Sequence, residues 1–165
     1  GEHVGGEIFD TVLTQMNVRG RVALCGMISA YNATQMPEGP KNLRAPVELD
    51  VTRLPWDVRK VDGVFTANTL HIMHWPQVQA FFANLPAVAK PGTVLAIYGP
   101  FRYGGQYTSA SNASFDEMLR ARDPESGIRE FEAVDQLARA AGFEFVADYP
   151  MPANNQTLIW RSSTP

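Results

Sequence analysis

Apolar residues recur at helical spacing near the start of the chain, at Ile8, Val12, Leu13 and Met16, until residues 17–20 break the pattern. The run 21–25 is apolar, closes at Gly26 and predicts a strand. Three prolines and a glycine between Ala30 and Pro46 predict a loop with room for a short helix. Three further runs, 47–51, 63–67 and 93–98, are short and rich in β-branched and aromatic residues. The last follows the turn pair Pro91-Gly92, and all three predict buried strands. Between the second and third, Val78, Phe81, Phe82, Leu85 and Val88 share one face of a helix predicted over 77–89, despite Pro86. Strand, helix and strand in that order predict a parallel pair with a right-handed crossover.

Beyond a loop rich in Gly and Tyr, Ser111 is a candidate N-cap for a helix through Arg122. Residues 131–141 form another helix that Gly142 should end, and both helices read as amphipathic. Residues 143–148 and 157–160 read as strands joined by 149–155, an antiparallel hairpin at the end of the sheet. The expected fold is therefore α/β, a three-layer Rossmann-like domain with a mostly parallel sheet of about six strands, the last one antiparallel. A chain of 165 residues has room for one such core, so 1–165 reads as a single domain.

Composition narrows the function classes. Hydrophobic residues make up 45% and charged residues 19%, the balance of a globular protein rather than a disordered one. The net charge is -3 and no run of Lys or Arg exceeds a pair, which argues against a nucleic-acid surface. The single cysteine, Cys25, offers no internal disulfide and no multi-cysteine zinc site, which fits a reducing cytoplasm. No apolar stretch is long enough to span a bilayer, and the first residues lack the pattern of a signal peptide, so no membrane partner is expected.

In an open parallel sheet, ligands bind beyond the carboxyl ends of the strands, so the residues just after each predicted strand are the candidates. Asp50, Asn68 with Thr69, the segment holding Tyr98, Phe101 and Tyr103, and the pair Asn154-Asn155 all fall there. His71 is the candidate general base, because an unperturbed imidazole titrates close to neutrality. A bonded, partly buried ring is the plainer alternative. His71 and His74 stand three apart without a third ligand, so no metal is expected. Tyr98, Phe101, Tyr103, Asn154 and Asn155 would line a pocket for a small-molecule substrate. The plainer alternative for Asp50 is a cap on a turn through Thr52, and Asn68 and the Asn pair are also ordinary turn residues.

Residues 42–160 resemble the uncharacterised methyltransferase-like branch, of the DUF938 type, of the class I S-adenosylmethionine (SAM)-dependent methyltransferases. The resemblance is carried by Leu49-Asp-Val51, Ala67-Asn-Thr-Leu-His-Ile72, Tyr98-Gly-Pro-Phe101, Ser111-Asn112, Phe115-Asp116, Leu119-Arg-Ala-Arg-Asp123, Gly127-Ile-Arg129 and Met151-Pro-Ala-Asn-Asn155. It implies SAM as cofactor, with Asp50 placed like the acidic residue that bonds the adenine amino group and Asn68 and Thr69 in the cofactor contact after the next strand.

The opening departs from that pattern. No glycine-rich turn follows a first strand, and no acidic residue follows a second, so part of the usual N-terminal nucleotide-binding half is missing. Instead, Val4-Gly-Gly-Glu-Ile-Phe-Asp10, Gly20-Arg-Val-Ala-Leu-Cys-Gly26 and Ile28-Ser-Ala-Tyr-Asn32 are similar to medium-chain NADP-dependent reductases of the prostaglandin and curcumin reductase type. In that family Tyr31 would lie beside the nicotinamide ribose. The chain thus reads as a chimera-like joint between a reductase-like segment, 1–41, and a methyltransferase-like segment, 42–165. Three functions stay open: a methyltransferase-like domain with an incomplete SAM site and weak or no activity, a recombined or engineered scaffold without enzymatic function, and an NADP-linked reductase remnant. A sheet lacking a strand and helix should expose an edge, so a homodimer is expected, with exchange of the N-terminal helix and strand as one route.

Overall fold

The computed structural model describes residues 22–25 and 48–163. The expected helix around 8–16, Tyr31 and the loop 30–46 lie outside the described residues.

The described elements run in the order β1 (Val22–Cys25), β2 (Val61–Ala67), α1 (Trp75–Asn84), β3 (Ala89–Gly99), β4 (Phe101–Tyr103), β5 (Gln106–Tyr107), α2 (Ala110–Arg122), β6 (Arg129–Glu130), α3 (Phe131–Ala140), β7 (Phe143–Met151) and β8 (Asn155–Ser162). The main sheet has the order β1-β2-β3-β8-β7. Its first two pairings are parallel, with Val22 opposite Gly63 and Val64 opposite Leu95. The β3–β8 and β8–β7 pairings are antiparallel. β4, β5 and β6 form a separate three-stranded sheet.

This corrects the expectation of one mostly parallel sheet of about six strands. Among the described residues the main sheet is mixed, and the last strand, β8, lies inside it, with β7 outside it. The burial pattern explains that order. β8 buries Thr157, Leu158, Ile159 and Trp160 in succession, as a strand covered on both faces must, whereas β7 leaves Glu144, Val146 and Asp148 exposed.

The strand expected over 47–51 is also corrected, since residues 48–50 adopt no regular structure and Val51-Thr52 is a turn. The Asp50 carboxylate accepts from the Thr52 amide at 2.9 Å and from its hydroxyl at 2.6 Å, and a self-bonded Asx turn of this kind competes with strand pairing. The segment expected as a Gly- and Tyr-rich loop instead forms the β4–β5 hairpin, turning at Gly104 and Gly105, both at positive φ.

α1 starts two residues earlier than its apolar pattern and stops at Asn84, where Pro86 converts the chain to a single 3-10 turn over Leu85–Ala87. Val78, Phe81 and Phe82 pack with Leu95, Ile97, Trp160, Val134 and Ala138 in one large core on a single face of the sheet. Phe65, Ala67, Val94, Ala96, Tyr98 and Ile159 form a second cluster on the other face. α2 is capped by Ser109, whose side chain accepts from the Asn112 amide, rather than by Ser111. Contrary to the amphipathic reading, the residues it buries are Asn112 and Asp116, both polar. α3 keeps its apolar face and ends before Gly142, at φ 83.

Candidate functional site

The carboxyl ends of β2 and β3 face each other because the two strands are parallel and in register, with Ala67 opposite Tyr98. The Asn68 amide extends the ladder by donating to the Tyr98 carbonyl at 2.9 Å. Asn68 then takes φ 53, a left-handed conformation that Asn tolerates better than most residues, and the chain turns sharply out of the sheet. Thr66 donates to the Thr69 hydroxyl at 2.7 Å, and Thr69 donates to the Ala67 carbonyl at 3.0 Å, so the turn is tied to its own strand. Leu70, 4% exposed, anchors it in the core.

The product of this turn is the placement of His71. Its side chain is only 6% exposed, its ring meets the edge of Phe115 from α2 at 5.6 Å, and it takes no hydrogen bond from the described residues. Burial, with a smaller contribution from the Arg129 charge, lowers its pKa to about 4, so the imidazole is neutral at physiological pH. Opposite it stands Gly99, where a Cβ would lie 3.7 Å from His71 Nδ1 and 4.0 Å from Asn68 Oδ1. Gly99 thus brings the end of β3 into ordinary contact distance of the imidazole and of the Asn68 amide.

A second polar group lies at the neighbouring strand ends. Asn155, at the start of β8, donates from Nδ2 to the Tyr98 hydroxyl at 3.0 Å. Asn112 of α2 donates to the Asn154 carbonyl at 3.0 Å, and Asn154 donates to the Ser111 hydroxyl at 3.1 Å. Ala153 and Asn154 both take positive φ, so the 152–154 turn is held against the start of α2 in a conformation that single residues rarely adopt unaided.

The structure thus brings Asn68, Thr69 and His71 together at the end of β2, and ties Tyr98 to Asn155 and Asn154 to α2. It does not bring in the others. Phe101 is 1% exposed within the large core. Tyr103 stacks on Phe131 at 5.5 Å and donates to Asp148 at 2.6 Å, beside β7. Asp50 sits in an exposed turn with Oδ1 taken by Thr52 and Oδ2 3.3 Å from Arg53 Nε. Its carboxyl is held below the usual range first by the Thr52 hydroxyl and then by the Thr52 amide. His74 pairs with Asp123 at 2.7 Å, and among the described residues no three His, Cys, Asp or Glu side chains gather as a metal site.

Gly99, Phe115 and Arg129 were missed by sequence reasoning. Gly99 follows Tyr98 directly and carried a signal in its position after a strand. Phe115 and Arg129 stand in segments that carry the family resemblance, but no local spacing gave them a site role, because both reach the site from elements distant in sequence.

Comparison with known proteins places this geometry in a family. Residues 22–162 match the model of the family described as "Protein of unknown function (DUF938)". The chain belongs to the DUF938 family. For this DUF938 protein, similar solved structures include LepI in complex with SAM, at TM-score 0.67 and 16% identity, covering 96% of this chain and 40% of that one. Human N-acetylserotonin methyltransferase in complex with SAM gives TM-score 0.61 and 17% identity, covering 72% and 33%. At these identities the likeness is one of fold, a methyltransferase-like α/β architecture. A separate short likeness, 50% identical over 42 residues, links the chain to the NADPH-dependent curcumin reductase of Escherichia coli (strain K12), of whose length it spans 12%. No helix among the described residues is long and apolar enough to cross a membrane.

Proposed function

We propose that this chain is a class I SAM-dependent methyltransferase-like domain whose cofactor site is incomplete, with weak methyl-transfer activity or none. The observation that carries the reading is His71, buried, with an imidazole that makes no hydrogen bond among the described residues, beside Gly99 at the carboxyl ends of two parallel strands.

The described residues fit the acceptor side of such a site. Bound SAM would supply an electrophilic methyl group. Asn68 and Thr69 would border it, Phe115 keeps water from the imidazole, and His71 Nδ1 accepts the hydrogen bond of the nucleophile's proton, aligning its lone pair. An imidazole with a pKa near 4 polarises a hydroxyl but is a poor proton acceptor at neutral pH, which supports weak activity. The adenosine side fits less well, because both Asp50 oxygens are engaged by its own turn.

Isothermal titration with SAM and S-adenosylhomocysteine tests the reading. Weak or absent binding is expected. Micromolar binding that is lost in Asp50→Ala would overturn the incomplete-site view and make this a working enzyme.

The short reductase likeness favours a second reading, an NADP-linked remnant in the N-terminal segment. A thermal melt unchanged by NADPH removes it. Absence of any response to SAM, S-adenosylhomocysteine and NADPH would instead leave a folded α/β scaffold without a ligand.

A further inference from the structure

The turn that carries His71 is held from outside by one side chain. Arg129, half-buried on β6, donates through Nε to the Leu70 carbonyl at 3.1 Å, and through Nη2 to the Met73 carbonyl and to the Glu125 carbonyl at 2.9 Å. Its guanidinium also lies over the Trp75 ring, 5.7 Å from the centroid. Two residues earlier, the Gly127 amide donates to the carbonyl of His71 itself at 2.9 Å. The carbonyls of Leu70, His71 and Met73 therefore all accept hydrogen bonds from Gly127 and Arg129, more than fifty residues downstream.

We propose that Arg129 is the positioning residue of this site: its planar fork clamps the 70–73 turn against the 125–127 segment and thereby holds the His71 imidazole beside Gly99 at the strand ends. The role rests on the functional reading of His71 given above. Three carbonyls in different directions suit a guanidinium, which presents several fixed donors, and do not suit an ammonium, which is a single compact charge. Burial lowers the His71 pKa most, and the Arg129 charge adds to that lowering, so the clamp bears on protonation as well as position. The other charged groups around the turn are Arg120 and Asp116 of α2, Asp123 and Glu125 of the loop after it, and His74.

The test uses the full chain and the long-range proton–nitrogen NMR signals of its imidazoles. There are three histidines, and His71→Gln assigns the signals. In the parent protein His71 should give one sharp tautomer down to about pH 4. In Arg129→Met the midpoint should rise and the ring signals should broaden as the turn loosens. In Arg129→Lys, which keeps the charge but loses the fork, the midpoint should stay low while the broadening persists. A folded Arg129→Met protein with an unchanged midpoint and sharp signals would overturn the proposal, showing that Arg129 only supports the fold. Should Arg129→Met fail to fold, Arg129→Lys decides alone: broadened His71 signals support the clamp, and sharp ones overturn it. The spectra need no cofactor, so a failed SAM titration overturns the functional reading without touching this result.

Discussion

His71 couples the candidate site to the stability of the fold. Its folded-state pKa, about 4, lies below the ordinary imidazole value of 6.5 because burial disfavours the imidazolium. Between those values the unfolded chain binds a proton that the folded chain does not, so stability is fully present above about pH 6.5 and falls as the pH drops toward 4. The contribution is at most roughly 3 kcal/mol. Denaturant unfolding measured from pH 7 to pH 4.5 should therefore show a steeper acid loss for the parent protein than for His71→Phe; parallel curves would show that His71 is charged in the fold. Tyr103 behaves differently. Burial, then its bond to Asp148, push its phenol pKa upward, and it faces Phe131 rather than the site. Tyr103→Phe is expected to cost about 1 kcal/mol in denaturant unfolding, with the His71 spectrum unchanged. A shift in that spectrum would return Tyr103 to the pocket.

α2 is positioned by polar groups rather than by an apolar face. Asp116, 2% exposed, accepts from the Tyr107 hydroxyl at 2.6 Å, from Arg120 Nε at 2.9 Å and from the Ile128 amide at 2.6 Å. Burial alone would raise its pKa; these three donors together lower it. The chain crosses the cluster at Gly127, where φ is 143 and a Cβ would lie 2.7 Å from Arg120 Nη2 and 2.9 Å from Asp116 Oδ1. A side chain there is strained in its backbone and collides with the pair that holds the helix. Gly127→Ala should destabilise the protein by about 1–3 kcal/mol in thermal or denaturant unfolding. It should also disturb the Gly127 amide bond to His71. A melt within error of the parent would show that the loop relaxes freely.

At the scale of the molecule, the exposed side chains of β7 bear on assembly. Among the described residues β7 has a sheet neighbour on one side only, and it exposes Val146 at 48% and Tyr149 at 37%. An edge strand with apolar side chains is a template for pairing, although Pro150 and the charges of Glu144 and Asp148 blunt it. A homodimer remains our expectation, with β7 as one route besides exchange of the N-terminal elements. Light scattering at micromolar concentration should give twice the chain mass, and Val146→Lys should shift it toward the monomer if β7 is the contact. A monomeric mass for the parent protein would rule this out.

Local pattern determined which segments became β2, β3, α1, α3 and the final hairpin. Each buries a continuous or periodic apolar face, and that demand is written in neighbours a few residues apart. The same pattern placed Asn68 and His71 after a buried strand, where a parallel sheet presents its ligand-binding edge. It misled at residues 48–51, because a self-bonded Asp50 satisfies its own backbone and needs no strand partner. Only the tertiary structure decided that β8 enters between β3 and β7, that Tyr103 turns to Asp148, and that Phe115, Gly127 and Arg129 converge on His71. Those outcomes depend on side chains from distant segments competing for the same carbonyls and the same buried space, and no local spacing records who wins that competition.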